Sequence, residues 1–129
     1  MPILIERFDH IVFTVQNVAA ACEFYQRVLG MEVVTFGNNR KALHFGQQKI
    51  NLHPVIDNPV GLVARQPQSG AIDLCLITQT PMEEVIAHLH ACNVAIEMGP
   101  MERTGAVGTI LSVYFRDLDG NLIEVSNYL

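Results

Sequence analysis

Positive charge is scarce in this chain and nowhere clustered. Eight Lys and Arg stand against thirteen Asp and Glu, a net charge of −5 over 129 residues. That balance argues against nucleic acid and anionic membrane surfaces as partners. Long hydrophobic runs are also missing, so no segment reads as a membrane span. The opening Met-Pro-Ile-Leu-Ile-Glu-Arg has neither a basic n-region nor an apolar h-region, and no secretory signal is expected. Cysteine is limited to Cys22, Cys75 and Cys92, an odd number without CxxC spacing. This excludes a disulfide frame and a cysteine-based zinc site, and points to reduced thiols in a cytoplasmic protein. What is present is apolar: half of the residues are hydrophobic, enough for one domain with a sizeable core.

Periodicity divides the chain into two similar units. Arg7–Val15 alternates as a strand, with Phe8, His10, Val12 and Thr14 on one face. Asn17 is a candidate N-cap for a helix over Val18–Leu29, and Gly30 ends it. Short strands over Met31–Phe36, Lys41–Phe45 and Lys49–His53 follow. Residues 55–70, rich in Pro and Gly, read as a connector between a unit over 5–54 and a second over 71–129. The pattern then restarts: a strand over Ile72–Ile77, a capping box Thr80-Pro81-Met82-Glu83 opening a helix that Asn93 ends, and a strand candidate over Val94–Glu97. A hairpin over Ile110–Ser126 closes the chain around the turn Asp117-Leu118-Asp119-Gly120-Asn121. Shifting by 63 residues places His10 on Asp73 and Leu29 on Cys92 without a gap, and Asn51 falls on Glu124 when the last strands are matched.

The expected fold is α+β: two tandem βαβββ units forming a curled mixed sheet around a shared cleft, with the helices on the outer face. His10, Asp73, Asn51 and Glu124 then occupy equivalent inward positions. His53, two residues from Asn51, lies on the same strand face and can replace it as a ligand. Glu124 stands out, because a carboxylate in the middle of an apolar strand must be paired, protonated or bound to a cation if its face is buried. These nitrogen and oxygen donors suit a divalent transition metal such as Mn, Fe, Co, Ni or Zn. Gly99–Gly108 reads as a lid with glycine hinges. Arg103 within it, and Arg116, are candidates for binding a substrate anion, and Tyr114 for adding a hydroxyl.

Three stretches resemble the vicinal oxygen chelate superfamily, which includes glyoxalase I, fosfomycin- and bleomycin-resistance proteins and extradiol dioxygenases. They are Phe8-Asp9-His10-Ile11-Val12-Phe13-Thr14-Val15, Phe24-Tyr25-x-x-Val28-Leu29-Gly30-Met31-Glu32, and Tyr114-Phe115-Arg116-Asp117-x-Asp119-Gly120-Asn121-Leu122-Ile123-Glu124-Val125. Within it, the chain is most similar to small glyoxalase-domain-containing proteins. The resemblance implies metal ligation by His10 and Glu124, with Asp73 where the family usually has His and Asn51 where glyoxalase I often has Glu. It also implies a twofold dimer and a small-molecule substrate with vicinal oxygens, handled by lyase or isomerase chemistry through an enediolate, with Glu124 shuttling the proton. Two other readings belong to the same resemblance. One is a two-His-one-carboxylate Fe(II) dioxygenase using His10, His53 and Glu124. The other is a metal-free protein that sequesters an antibiotic.

Overall fold

The computed structural model describes residues 2–56 and 61–129. Clustering of the chain into compact units divides it into Met1–Pro67 and Gln68–Leu129, so the boundary falls inside the expected connector. Residues 57–60 of that connector lie outside the described residues.

The first unit begins with strand β1 (His10–Val15), then helix α1 (Val18–Leu29) and strands β2 (Glu32–Phe36), β3 (Arg40–Phe45) and β4 (Gln48–Pro54). Local chemistry sets the helix ends. Asn17 is extended, and its Oδ1 accepts from Ala20 N at 2.9 Å, satisfying one of the open amides of the first turn. Gly30 takes φ 64°, the left-handed conformation that stops a helix at little cost without a Cβ. Ala21, Cys22, Tyr25 and Val28 recur at helical spacing and are buried. Tyr25 meets Phe13 of β1 edge-on, with ring centroids 6.0 Å apart.

The second unit repeats this order with strand β5 (Asp73–Ile77), helix α2 (Met82–Ala91) and strands β6 (Met98–Thr104), β7 (Thr109–Arg116) and β8 (Leu122–Tyr128). Met82, Val85 and Leu89 form the buried stripe of α2. The expected capping box is not made. Pro81 has ψ 143° and stays outside the helix as its N-cap residue, so Thr80 is one position too early to cap. Instead, Thr80 N donates to Thr78 Oγ1 at 3.1 Å. Asn93 takes φ 61° just past the helix end, as its terminator role requires.

The strands form two four-stranded sheets, β1-β4-β3-β2 and β5-β8-β7-β6, rather than one continuous sheet. In each, first and last strands pair in parallel, and the rest pair antiparallel. The repeat extends to register. Val12 pairs with Asn51 as Cys75 pairs with Glu124, so Asn51 and Glu124 are structurally equivalent positions.

The last third of the chain departs most from expectation. Residues 94–97 are not a strand; the strand lies further on, at Met98–Thr104. Most of the expected lid is therefore sheet, and only 105–108 remain as a turn, closed by Gly105 N donating to Gly108 O at 2.7 Å. Gly and Pro at positions 99 and 100 read as a loop in sequence. They instead fall at an irregularity in the β6–β7 register, between Met98 and Met101. Gly99 has φ 102°, and a Cβ there would lie 2.4 Å from the Ser112 carbonyl oxygen, so the bulge demands glycine.

The turn 117–121 is a hydrogen-bonded unit. Asp117 Oδ1 accepts from Asp119 N at 3.0 Å and Asn121 N at 2.9 Å, and its Oδ2 accepts from Asn121 Nδ2 at 2.8 Å. Asn121 Oδ1 in turn accepts from Ile72 N at 2.9 Å, tying the start of β5 to the start of β8. The turn thereby sets where Glu124 falls relative to Cys75.

Candidate functional site

Side chains alternate across a strand, so pairing register assigns each residue to a face. One face of the second sheet carries Val113, Phe115, Ile123 and Val125, all buried in the core. The other carries a polar group whose centre is Glu124. Cys75 of β5, Glu124 of β8, Tyr114 of β7 and Met98 of β6 form one row across it. The next row holds Ile77, Ser126, Ser112 and Met101.

Glu124 is held by hydroxyls. Ser112 Oγ donates to Glu124 Oε2 at 2.6 Å. Ser112 and Ser126 are 2.6 Å apart through their Oγ atoms, and Cys75 Sγ lies 3.3 Å from Ser126 Oγ. A single direction satisfies all of them: Cys75 to Ser126, Ser126 to Ser112, Ser112 to Glu124. Burial, reinforced by the Glu124 charge, raises the Cys75 pKa against the opposing Ser126 hydrogen bond, so the thiol stays protonated and is not an activated nucleophile. On the other side, Arg103 Nε donates to Tyr114 Oη at 3.1 Å. Desolvation raises the Tyr114 pKa, with Glu124 adding to it and Arg103 opposing, so Tyr114 remains a phenol with a proton to donate. A carboxylate, a phenol and a guanidinium therefore line one sheet face.

Arg116 is committed elsewhere. Its Nε and Nη2 donate to Glu97 at 3.1 and 3.0 Å, and its Nη1 donates to Gly120 O at 3.2 Å. This bidentate pair braces the 117–121 turn and leaves the guanidinium engaged rather than open to a substrate anion. Asp73 is exposed on β5, one row from Cys75, and pairs in register with Leu122.

In the first unit the corresponding face carries His10, Asn51 and His53. His10 is half-exposed, with Nδ1 2.7 Å from Asp9 Oδ1. Asn51 and His53 are buried. His10 pairs with Lys49, whereas His53 pairs with Thr14, four positions further along the parallel strands. That offset puts their Cα atoms about 14 Å apart. Two imidazoles with metal–nitrogen bonds of about 2 Å cannot close on one ion across that span. The register thus contradicts the His10–His53–Glu124 iron triad, and His53 cannot serve beside His10 on one metal. Among the described residues, no three His, Cys, Asp or Glu side chains gather as a ligand group. The donors His10, His53, Asp73 and Glu124 do not fit a resident divalent metal as arranged here.

Burial lowers the His53 pKa below its ordinary 6.5, and the nearby Arg40 charge adds to this. The fold favours the neutral ring, so the unfolded chain takes up the proton at higher pH than the folded chain. Stability from this residue is complete above pH 6.5 and is lost as pH falls toward the lower folded value. Urea midpoints should therefore drop between about pH 7 and about pH 5, and His53→Gln should flatten that part of the slope. An unchanged slope in the variant would assign the acid sensitivity to other groups.

Paired βαβββ units, each with a helix on one sheet face and a polar opposite face, define a glyoxalase-like α+β protein. The sequence matches the Glyoxalase/Bleomycin resistance protein/Dioxygenase superfamily over residues 7–125, and the chain belongs to that superfamily. It is 48% identical over 126 residues to virulence protein STM3117 of Salmonella typhimurium, covering 98% of this chain and 87% of that protein. The crystal structure of STM3117 aligns with a TM-score of 0.95, covering 98% of this chain and all of that one. Glyoxalase domain-containing protein RDO1 of Mycosarcoma maydis is 46% identical over 126 residues, covering 96% of this chain and 69% of that protein. An integron cassette protein from the mobile metagenome of V. cholerae, VCH_CASS1, is 46% identical with a TM-score of 0.96 over the full length of both chains. No helix among the described residues is long and apolar enough to cross a membrane.

Proposed function

We propose that this protein is a glyoxalase-type enzyme that moves a proton on a small anionic substrate with adjacent oxygens. The observation that carries this reading is Glu124, a carboxylate oriented by Ser112 on the same sheet face as the Tyr114 phenol and the Arg103 guanidinium. Glu124 takes the proton from a carbon next to a carbonyl. The C–H electron pair moves to form the enediolate, with the negative charge on the former carbonyl oxygen. Tyr114 donates a hydrogen bond to that oxygen. Glu124 returns the proton to the neighbouring carbon, completing an isomerisation. Metal dependence is common in the superfamily, but the donor arrangement supplies no ligand set, so no step in this scheme uses a metal.

The role of Arg103 in this scheme is to bind a substrate carboxylate from a fixed strand position rather than from a mobile lid. The test is hydrogen–deuterium exchange at the carbon next to the carbonyl in deuterated buffer, followed by NMR across small 2-oxo acids, 2-hydroxy acids and hemithioacetals. Arg103→Ala should raise KM for an anionic substrate about ten- to a hundredfold, the loss of one charge-assisted hydrogen bond. Equal KM values would remove Arg103 from substrate binding, and absence of exchange across the panel would refute the enzyme reading. Binding without turnover is the second reading, favoured by Ile77 and Met98, which are exposed and apolar at the edges of the same face.

A further inference from the structure

The opposite half of the chain carries a second group of polar side chains that the proposed chemistry does not use. On the open face of the first sheet, three successive rows can be read from the register. Lys49 pairs with His44 and Glu32 beyond it; Asn51 pairs with Ala42 and Val34 beyond it; Phe36 pairs with Arg40. Lys49 and Phe36 therefore sit at opposite corners, with Ala42 between them. Yet Lys49 Nζ is 4.2 Å from the Phe36 ring centroid, so the two side chains reach toward each other over the middle row. Arg40 lies on the same ring, with Cζ 4.6 Å from its centroid. This explains why Ala42 is 0% and Asn51 only 5% exposed, although both are on the face away from α1.

Two features of this strap are unbalanced. First, Arg40 and Lys49 share one aromatic ring, and neither forms an ion pair among the described residues. The acid that senses Lys49 is Asp9, which is already bonded to His10. Two like charges over one ring repel each other, and the chain has an excess of acids that could have neutralised them. Second, Arg40 Nε and Asn51 Oδ1 are buried without a hydrogen-bond partner. Such groups are rare in folded proteins because each forfeits its bonds to water. One is a cationic donor and the other a neutral acceptor. A ligand that satisfies both must bring an anionic oxygen and a hydroxyl.

We propose that the open face of the first sheet binds a small 2-hydroxy carboxylate, whose charge is held by Arg40 and Lys49 and whose hydroxyl donates to Asn51 Oδ1. Binding displaces Lys49 from the Phe36 ring and gives the Arg40 Nε–H an acceptor. The carboxylate relieves the repulsion between the two cations, and Phe36 remains as an apolar wall beside the ligand. This site uses Arg40, Lys49 and Asn51 of the first unit and stands independently of the Glu124 chemistry.

The experiment is an amide-resolved NMR titration of the full chain with lactate, and with acetate as the anion lacking the hydroxyl. Lactate should give saturable shifts at amides within 40–53. Arg40→Gln and Lys49→Gln should each weaken lactate about tenfold, as expected for losing one charge-assisted contact. Asn51→Ala should reduce lactate to the affinity of acetate while leaving acetate unchanged. Lys49 has a partly exposed stem, so Lys49→Gln keeps the test valid even where Arg40→Gln disturbs the fold. Lactate shifts confined to 111–126, unchanged affinity in Lys49→Gln, or acetate binding as tightly as lactate in the wild type would each overturn the assignment. Loss of proton exchange in Glu124→Gln with these shifts intact would separate the two sites.

Discussion

Glu124→Gln should lower the rate of substrate proton exchange by about 10²- to 10⁴-fold, the range associated with loss of a positioned general base. The amide keeps an oxygen that can accept from Ser112 Oγ, so the hydroxyl chain Cys75–Ser126–Ser112 retains its terminus. Glutamine cannot hold the abstracted proton. The variant should therefore melt within a few degrees of the wild type and bind the same substrates, with the loss confined to kcat. Tyr114→Phe is the informative companion. It removes the phenol proton offered to the substrate oxyanion, and with it the acceptor for Arg103 Nε, so it should lower kcat and also weaken binding. Exchange that persists at the wild-type rate in Glu124→Gln would place the base elsewhere.

Asp117→Ala should cost about 3 kcal/mol of folding stability and lower the melting temperature by roughly 10 °C. Asp117 accepts from two backbone amides and from the Asn121 side chain, and it is buried. Alanine leaves those donors without partners. It also frees Asn121, whose Oδ1 anchors Ile72 N at the start of β5. The effect should reach beyond the turn, with amide exchange increasing at both ends of the β5–β8 pair. Asp117→Asn should cost less, because the amide oxygen still accepts from the backbone while its NH₂ faces the Asn121 NH₂. Chemical denaturation measures both. A loss below about 1 kcal/mol for Asp117→Ala would mean that water replaces the carboxylate and the turn is not a fastener.

The two helices show why some elements are legible from local signals. Asn17 and Gly30 bound α1 through cap chemistry that involves only residues a turn away, so its limits were readable from the chain. The box at Thr80 was equally local and still misled, because the ψ of Pro81 moved the helix start by one residue. The failure at residues 94–108 has a different origin. Gly99 and Pro100 are strong loop signals, but the β6–β7 ladder absorbs them as an irregularity, and a strand forms where propensity predicts none. The 117–121 motif had a second meaning hidden in sequence: it is the residue pattern of a hydrogen-bonded clasp, and its reach to Ile72 spans 49 residues.

The amino-acid sequence by itself determined the α+β class, the doubled order of elements, and the equivalence of Asn51 and Glu124. These follow from periodicity and spacing, which are properties of the chain read in one dimension. Only the tertiary structure decided which candidate side chains work together. Strand register places Glu124 beside Cys75 and Tyr114, gives Arg116 to Glu97, and separates His10 from His53. It also shows Lys49 and Arg40 meeting over Phe36, a group with no sequence signature. Alternation along a strand tells which face a residue occupies, but neighbours on that face come from other strands, and their alignment is set by turns and bulges far away in the chain.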